Sequence, residues 1–275
     1  MALPATLLTA RGSEQPAGSH DVPGREARPF SAEWSRSAGR RSAGLLKTAA
    51  ELQSASEFQN AEHVLALGIA ALDAVLPHGG LLQGSVIELQ VQGASGAATS
   101  FALCACRAAQ RAGEHWRSGS GAESPRPWCA FIDPSASLFA PGVARLGVDL
   151  SRLLVVRPDP EGVERVAIRI AEAKAVSLLV IDLRGALDLR ERAVSSQRWQ
   201  RTVRRLALAI KQVSTTILLL TSAEPRQTLP LPVAMRLEFA RAAADSFELA
   251  VGKERSGRVS SARSIPWAAF EPAWH

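Results

Sequence analysis

One stretch restricts this chain more than any other: an apolar strand that turns through glycine into an alanine-rich helix. It reads Val86-Ile87-Glu88-Leu89-Gln90-Val91, then Gln92-Gly93-Ala94-Ser95-Gly96, then Ala97-Ala98-Thr99-Ser100-Phe101. That is the layout of a phosphate-binding loop. There, glycines let backbone N–H groups curl round the phosphates, a lysine neutralises their charge, and a Ser or Thr hydroxyl holds Mg²⁺. In this chain Ala97 stands at the lysine position and Val91 at the first glycine. Ala98 takes the place of the metal-binding hydroxyl, and Thr99 comes one residue late. Gly93, Ser95, Gly96 and the helix N-terminus leave an anion cradle geometrically possible. The other reading is a purely structural strand-to-helix turn, and the missing charge favours it.

The strands that follow recur at α/β spacing. Trp128–Ile132 is a continuous apolar run ending in Asp133, Arg152–Arg157 is a second strand, Leu178–Ile181 ends in Asp182, and Thr216–Thr221 is a fourth. Apolar runs without alternation mean strands covered on both faces, hence a mainly parallel sheet with helices on either side. Helices are expected over 99–112, 138–146, 162–174 (with Val163, Val166, Ile170 and Ala173 on one face) and 190–213. A short helix carrying Ile69, Leu72 and Val75 is stopped by Pro77 and Gly79-Gly80. From Ala234 the pattern changes to alternation, with a turn at Ala244-Asp245. This predicts an antiparallel hairpin closing the sheet. The expected organisation is a disordered N-terminal tail over 1–40, a lead-in helix and linker over 41–63, an α/β domain over 64–252, and a C-terminal tail over 253–275.

Nearly half of the 275 residues are apolar, enough for a sizeable core. The net charge of +6 and the pI near 10.0 favour a polyanionic partner such as nucleic acid; a general use of Arg for Lys explains them equally well. Cys104, Cys106 and Cys129 have no metal-ligand spacing and read as small buried hydrophobes. Residues 1–10 lack the basic start and the length of a secretory signal. No apolar run approaches the ~20 residues of a membrane span. A cytoplasmic protein without a membrane role is expected.

Four further features carry candidate chemistry or binding. Asp182, at a strand end, is either a metal-holding acid or a cap for the next turn. Asp133 is followed by Ser135 where a water-activating carboxylate would stand, so no general base is evident there. On the helix at 198–213, steps of about 100° per residue put Trp199, Val203, Leu206, Ala207, Ile210 and Val213 on one arc. Arg198, Arg201, Arg204, Arg205 and Lys211 fall on the other arc, which carries no acid. That arc is a DNA-binding or acidic-partner surface, or else a solvated face. In the tail, Trp267, Phe270 and Trp274 are either docking anchors or residues that pack back on the domain.

Leu67-Gly68-Ile69, Leu72-Asp73, Gly79-Gly80-Leu81, Gly84 and Ile87-Glu88 resemble the opening of the RecA core. Phe131-Ile132-Asp133, the stretch Leu146–Leu154 and Leu179-Val180-Ile181-Asp182 continue the resemblance in register over about residues 64–252. Gly96–Leu103 and Leu138-Phe139-Ala140-Pro141-Gly142 resemble the ImuA family, the RecA-like (sometimes SulA-like) proteins of damage-inducible mutagenesis. This resemblance implies that RecA's phosphate-loop lysine falls on Ala97, its Mg²⁺-binding Thr on Ala98 and its catalytic Glu on Ser135, with only Asp182 kept. Its nucleotide-sensing stretch falls near Ser222-Ala223-Glu224, and its DNA-binding loop corresponds to a shorter, Pro-rich segment between Thr221 and Ala234. The resemblance therefore implies no ATPase activity, no catalytic residues and no required cofactor. It implies action with an ImuB-like inactive Y-family polymerase relative and an error-prone replicative-type polymerase in translesion DNA synthesis under the SOS response. Two alternatives remain open at this point: a RecA- or RadA-like repair ATPase with a variant loop, and a SulA-like cell-division inhibitor.

Overall fold

Leu, Ile and Val runs with no polar alternation form the centre of the sheet, because both of their faces are covered. The computed structural model of the protein describes residues 64–93, 96–115, 127–184, 192–223 and 230–270. The expectations for 1–40 and 41–63, for Ser95, for Glu224 and for Trp274 lie outside these residues. In chain order the described elements are β1 (Val64–Leu65), α1 (Ala70–Asp73), β2 (Leu81–Leu82), β3 (Val86–Gln92), α2 (Ala97–His115), β4 (Trp128–Ile132), α3 (Ala140–Arg145), β5 (Leu153–Val156), α4 (Val163–Ala173), β6 (Val176–Asp182), α5 (Arg192–Ala209), β7 (Thr216–Ala223), β8 (Met235–Arg241), β9 (Ser246–Glu254) and β10 (Ser260–Pro266).

β1 and β2 form a small antiparallel pair, and the other strands make one sheet in the order β10-β9-β8-β3-β7-β6-β4-β5. From β8 to β5 every pairing is parallel, whereas β9 and β10 run antiparallel. The expected architecture is thus present: a mainly parallel sheet, helices on both faces and an antiparallel hairpin near the end. One face is covered by α2, whose Phe101, Ala102, Cys104, Ala105 and Cys106 meet Ile87, Leu89, Phe131, Val180, Leu218 and Phe239. The opposite face is covered by α4 and α5, where Val163, Ala167, Trp199, Val203 and Leu206 meet Ile132, Leu179, Ile181, Ile217 and Leu219. Burying a branched aliphatic or Phe side chain stabilises by roughly 1.5–3 kcal/mol, so these two layers hold the sheet.

Several expectations are corrected. The tail expected over 253–275 is part of the sheet through Pro266, because β10 pairs with β9 and Ile265 is buried. Only Ile265 of this strand is buried, and its Ser, Ala, Arg and Pro residues are half-buried or exposed, so no apolar alternation marks it in the sequence. Trp267 and Phe270 pack home on Phe247, each with ring centroids 5.2 Å from it, so packing rather than docking describes both. The helix expected over 138–146 spans only Ala140–Arg145, because Asp133 takes the backbone N–H groups of Ser137 and Leu138 for a turn. α4 buries Val163, Ala167, Ile168 and Ala171; Val166 and Ile170 lie at its margin and Ala173 is exposed. The small side chains of Ala167 and Ala171 let the helix approach the sheet, which a count of large apolar residues overlooks.

Candidate functional site

β3, β4 and β6 are parallel, so the loops that leave their C-terminal ends open on one edge of the sheet, where ligands of α/β folds collect. β3 ends at Gln92 and the chain turns at Gly93 with φ 69°, a conformation that favours glycine. A Cβ placed on Gly93 or on Gly96 would meet nothing within 4 Å, so open space lies beside each of these glycines. Ala97 and Ala98 open α2 and are fully buried in the α2 core. Their methyls are packing groups. Counting along the loop pattern puts Ala98 at the hydroxyl position, but the helix turns Thr99 toward the strand-end acid.

The side chain that joins them is Arg184, which sequence reasoning did not single out. Asp182 ends β6 and is almost fully buried. Arg184 embraces it in a fork: Nε donates to Asp182 Oδ1 at 2.9 Å and Nη2 donates to Oδ2 at 2.6 Å. The backbone N–H of Arg184 adds a third hydrogen bond to Oδ1 at 2.9 Å. Nη2 also donates to Thr99 Oγ1 at 2.7 Å, across 85 positions of sequence. Charge-assisted, two-pronged pairs of this kind are among the strongest polar contacts in proteins. The only sequence signal was the Asp182-Leu183-Arg184 spacing, which by itself is unspecific.

These residues do not fit a divalent metal. Mg²⁺ needs a near-octahedral set of oxygen ligands. Here both oxygens of the strand-end carboxylate and the hydroxyl of Thr99 already face one guanidinium. No group of three or more His, Cys, Asp or Glu that could hold a metal occurs among the described residues.

Asp133 offers no base either. Its carboxylate accepts from the N–H groups of Ser137 and Leu138 at 2.9 and 3.0 Å and from the hydroxyls of Ser137 and Ser135 at 3.1 and 3.4 Å. Burial works against its ionisation. The hydrogen bonds from Leu138 and Ser137, with the charge of Arg157, outweigh that and hold its carboxyl below the ordinary aspartate range. The Ser135 hydroxyl is one of the donors of this capping network.

The basic arc of α5 is divided by its neighbours. Arg198 pairs with Glu164 of α4, and Thr202 Oγ1 donates to the same carboxylate at 2.7 Å. Arg205 approaches Glu172 at 3.8 Å. The arc itself carries no acid, but α4 supplies two. Burial opposes the charge on Glu164, yet the hydrogen bonds from Thr202 and Arg198, with the charge of Arg205, keep its carboxyl below the usual glutamate range. Arg201, Arg204 and Lys211 are exposed and have no acidic partner among the described residues. Gly93, Gly96, Thr99 and Asp182 lie along one edge of the sheet, whereas Arg198, Arg201, Arg204 and Arg205 belong to α5 on one of its faces; the helix expected to run to 213 ends at Ala209, so Lys211 lies in the turn that follows it.

Residues 47–222 match the family model of the RecA N-terminal domain. Among curated relatives, the protein RecA of Gluconacetobacter polyoxogenes is 39% identical over 126 residues, which is 45% of this chain and 32% of that protein. The protein RecA of Mycobacteroides abscessus is 38% identical over 125 residues, again 45% of this chain and 32% of the relative. That of Leifsonia xyli subsp. xyli is 30% identical over 166 residues, or 56% and 43% of the two chains. The chain thus spans well under half the length of these curated relatives. No helix among the described residues is long and apolar enough to cross a membrane.

Proposed function

The chain belongs to the RecA N-terminal domain family, and from that premise we propose that it is a non-catalytic accessory protein of translesion DNA synthesis. On this reading it belongs to the ImuA branch and acts under the SOS response. It brings together an ImuB-type inactive polymerase relative and an error-prone replicative-type polymerase. The observation that carries the non-catalytic part is the engagement of Asp182 and Thr99 by Arg184. Ala97 adds no charge to that loop, and Ser135 is spent on a turn. A protein that keeps the fold but fills its metal position with its own arginine is suited to scaffolding.

Arg201 and Arg204 of α5, and Lys211 just beyond it, have no acidic partner among the described residues, so they are the cations available to DNA or an acidic partner. A tagged chain captured from cells after DNA damage should bring down both polymerase-type partners. Replacing Arg201, Arg204 and Lys211 by Glu should reduce DNA or partner binding at least tenfold and leave the melting temperature within a few degrees. Equal binding by the wild-type and reversed-charge chains would overturn the surface assignment. Steady ATP turnover by the wild type, lost in Asp182→Ala, would overturn the non-catalytic reading.

A further inference from the structure

We propose that Arg184 is a tethered cation that takes the place of a divalent metal at the strand-end carboxylate, locking the first turn of α2 to the end of β6 without nucleotide or metal. The proposal goes beyond the partner reading and rests only on its non-catalytic part.

The geometry is specific. Asp182 is 2% exposed, and a buried carboxylate needs a partner for its charge. Asp182 has three donors from one residue: the backbone N–H, Nε and Nη2 of Arg184. The same Nη2 reaches Thr99 in the first turn of α2. In the sheet, β7 lies between β3 and β6, so the link reaches over the end of an intervening strand. One guanidinium therefore does what a metal ion would do there: it neutralises the acid and ties it to the hydroxyl of the loop helix. Because Arg184 is two residues from Asp182, the contact is intramolecular and its effective concentration far exceeds that of free Mg²⁺ in solution. A guanidinium also keeps its charge at every working pH. The cation absent from position 97 thus reappears at position 184, within hydrogen-bond reach of Thr99.

The test uses the full chain in five forms: wild type, Arg184→Ala, Arg184→Lys, Asp182→Asn and the double variant Arg184→Ala/Asp182→Asn. Two quantities are read: the melting temperature with and without millimolar Mn²⁺, and Mn²⁺ uptake by electron paramagnetic resonance. The wild type should take up no Mn²⁺ through Asp182 and should melt at the same temperature with or without it. Arg184→Ala should melt lower by on the order of 10 °C, because it strands a buried carboxylate. Mn²⁺ should restore part of that loss, and the restoration should vanish in the double variant. Arg184→Lys, which keeps the charge but not the fork, should fall between. If Arg184→Ala does not fold, the same comparison is made between Arg184→Lys and Asp182→Asn. Wild-type Mn²⁺ uptake abolished by Asp182→Asn would overturn the proposal. So would losses at 184 and 182 that simply add, or the absence of any Mn²⁺ rescue. These outcomes without ATP turnover defeat only the tethered cation; turnover by the wild type defeats the non-catalytic reading as well.

Discussion

Asp133 and Asp182 stand where a reader of sequence would look for catalysis or metal binding, and they, like Asp73 and Asp149, spend their carboxylates within a few residues. Asp73 accepts from the N–H groups of Leu67, Gly68 and Ile69, which explains the Leu67-Gly68 and Leu72-Asp73 pattern as one local hydrogen-bonded unit. Asp133 builds the turn before α3, and Asp182 is held by Arg184. Asp149 accepts from the hydroxyl and the N–H of Ser151 and from Arg152 Nε, and these lower its pKa to about 2. A carboxyl whose folded pKa is depressed contributes stability that is present above its unfolded value. That contribution is lost as pH falls through the folded value. For Asp149 the window lies between the ordinary aspartate range, about 4, and about 2. The melting-temperature difference between the wild type and Asp149→Asn should therefore be full at neutral pH and shrink to nothing across that window. A difference that stays constant down to pH 2 would contradict it. The type and position of these residues were legible in the sequence. Their partners were not, because a carboxylate reads the same whether it faces a metal, a backbone or an arginine.

Elements supply the next level of partners. Glu88 looks like an ordinary polar residue of β3, yet it is fully buried. Thr221 Oγ1 of β7 and Arg236 Nε of β8 each donate to it at 2.8 Å. Arg236 lies directly across the β3–β8 ladder from Glu88. Glu88→Ala should cost about 3–5 kcal/mol in urea unfolding, as for other broken buried pairs. A loss under 1 kcal/mol would mean that Arg236 finds an equivalent partner. The partners are 133 and 148 residues from Glu88, so only strand pairing brings them together. The same holds for α5. Its basic arc was readable from periodicity, but Glu164 and Glu172 belong to α4 and pair with Arg198 and Arg205. Gly80 is a third case. A Cβ there would lie 2.6 Å from the carbonyl oxygen of Leu65, so the Gly79-Gly80 pattern marks a close approach of two strands as well as a helix stop.

At the scale of the whole molecule, the chain closes its sheet with residues that composition marks as a tail. Phe101, Phe239, Phe247, Trp267 and Phe270 form a continuous aromatic column from α2 through β8 and β9 to the last described turn. Removing residues 253–275 should strip Ile265 and Phe270 from the core and lose roughly 3–6 kcal/mol, counting 1.5–3 kcal/mol for each. A circular-dichroism melt checks this; an unchanged melting temperature would show that β10 is dispensable. The sequence by itself determined the α/β class, the parallel run of strands and the buried face of α5. Those follow from hydrophobic period and run length, which are local properties. It also determined that the loop after β3 lacks a lysine. Only the tertiary structure decided what replaced it, which cations of α5 are spent, and that the tail belongs to the sheet. Each of these depends on which distant side chain lies across a strand or beside a helix, and a one-dimensional pattern does not contain that distance.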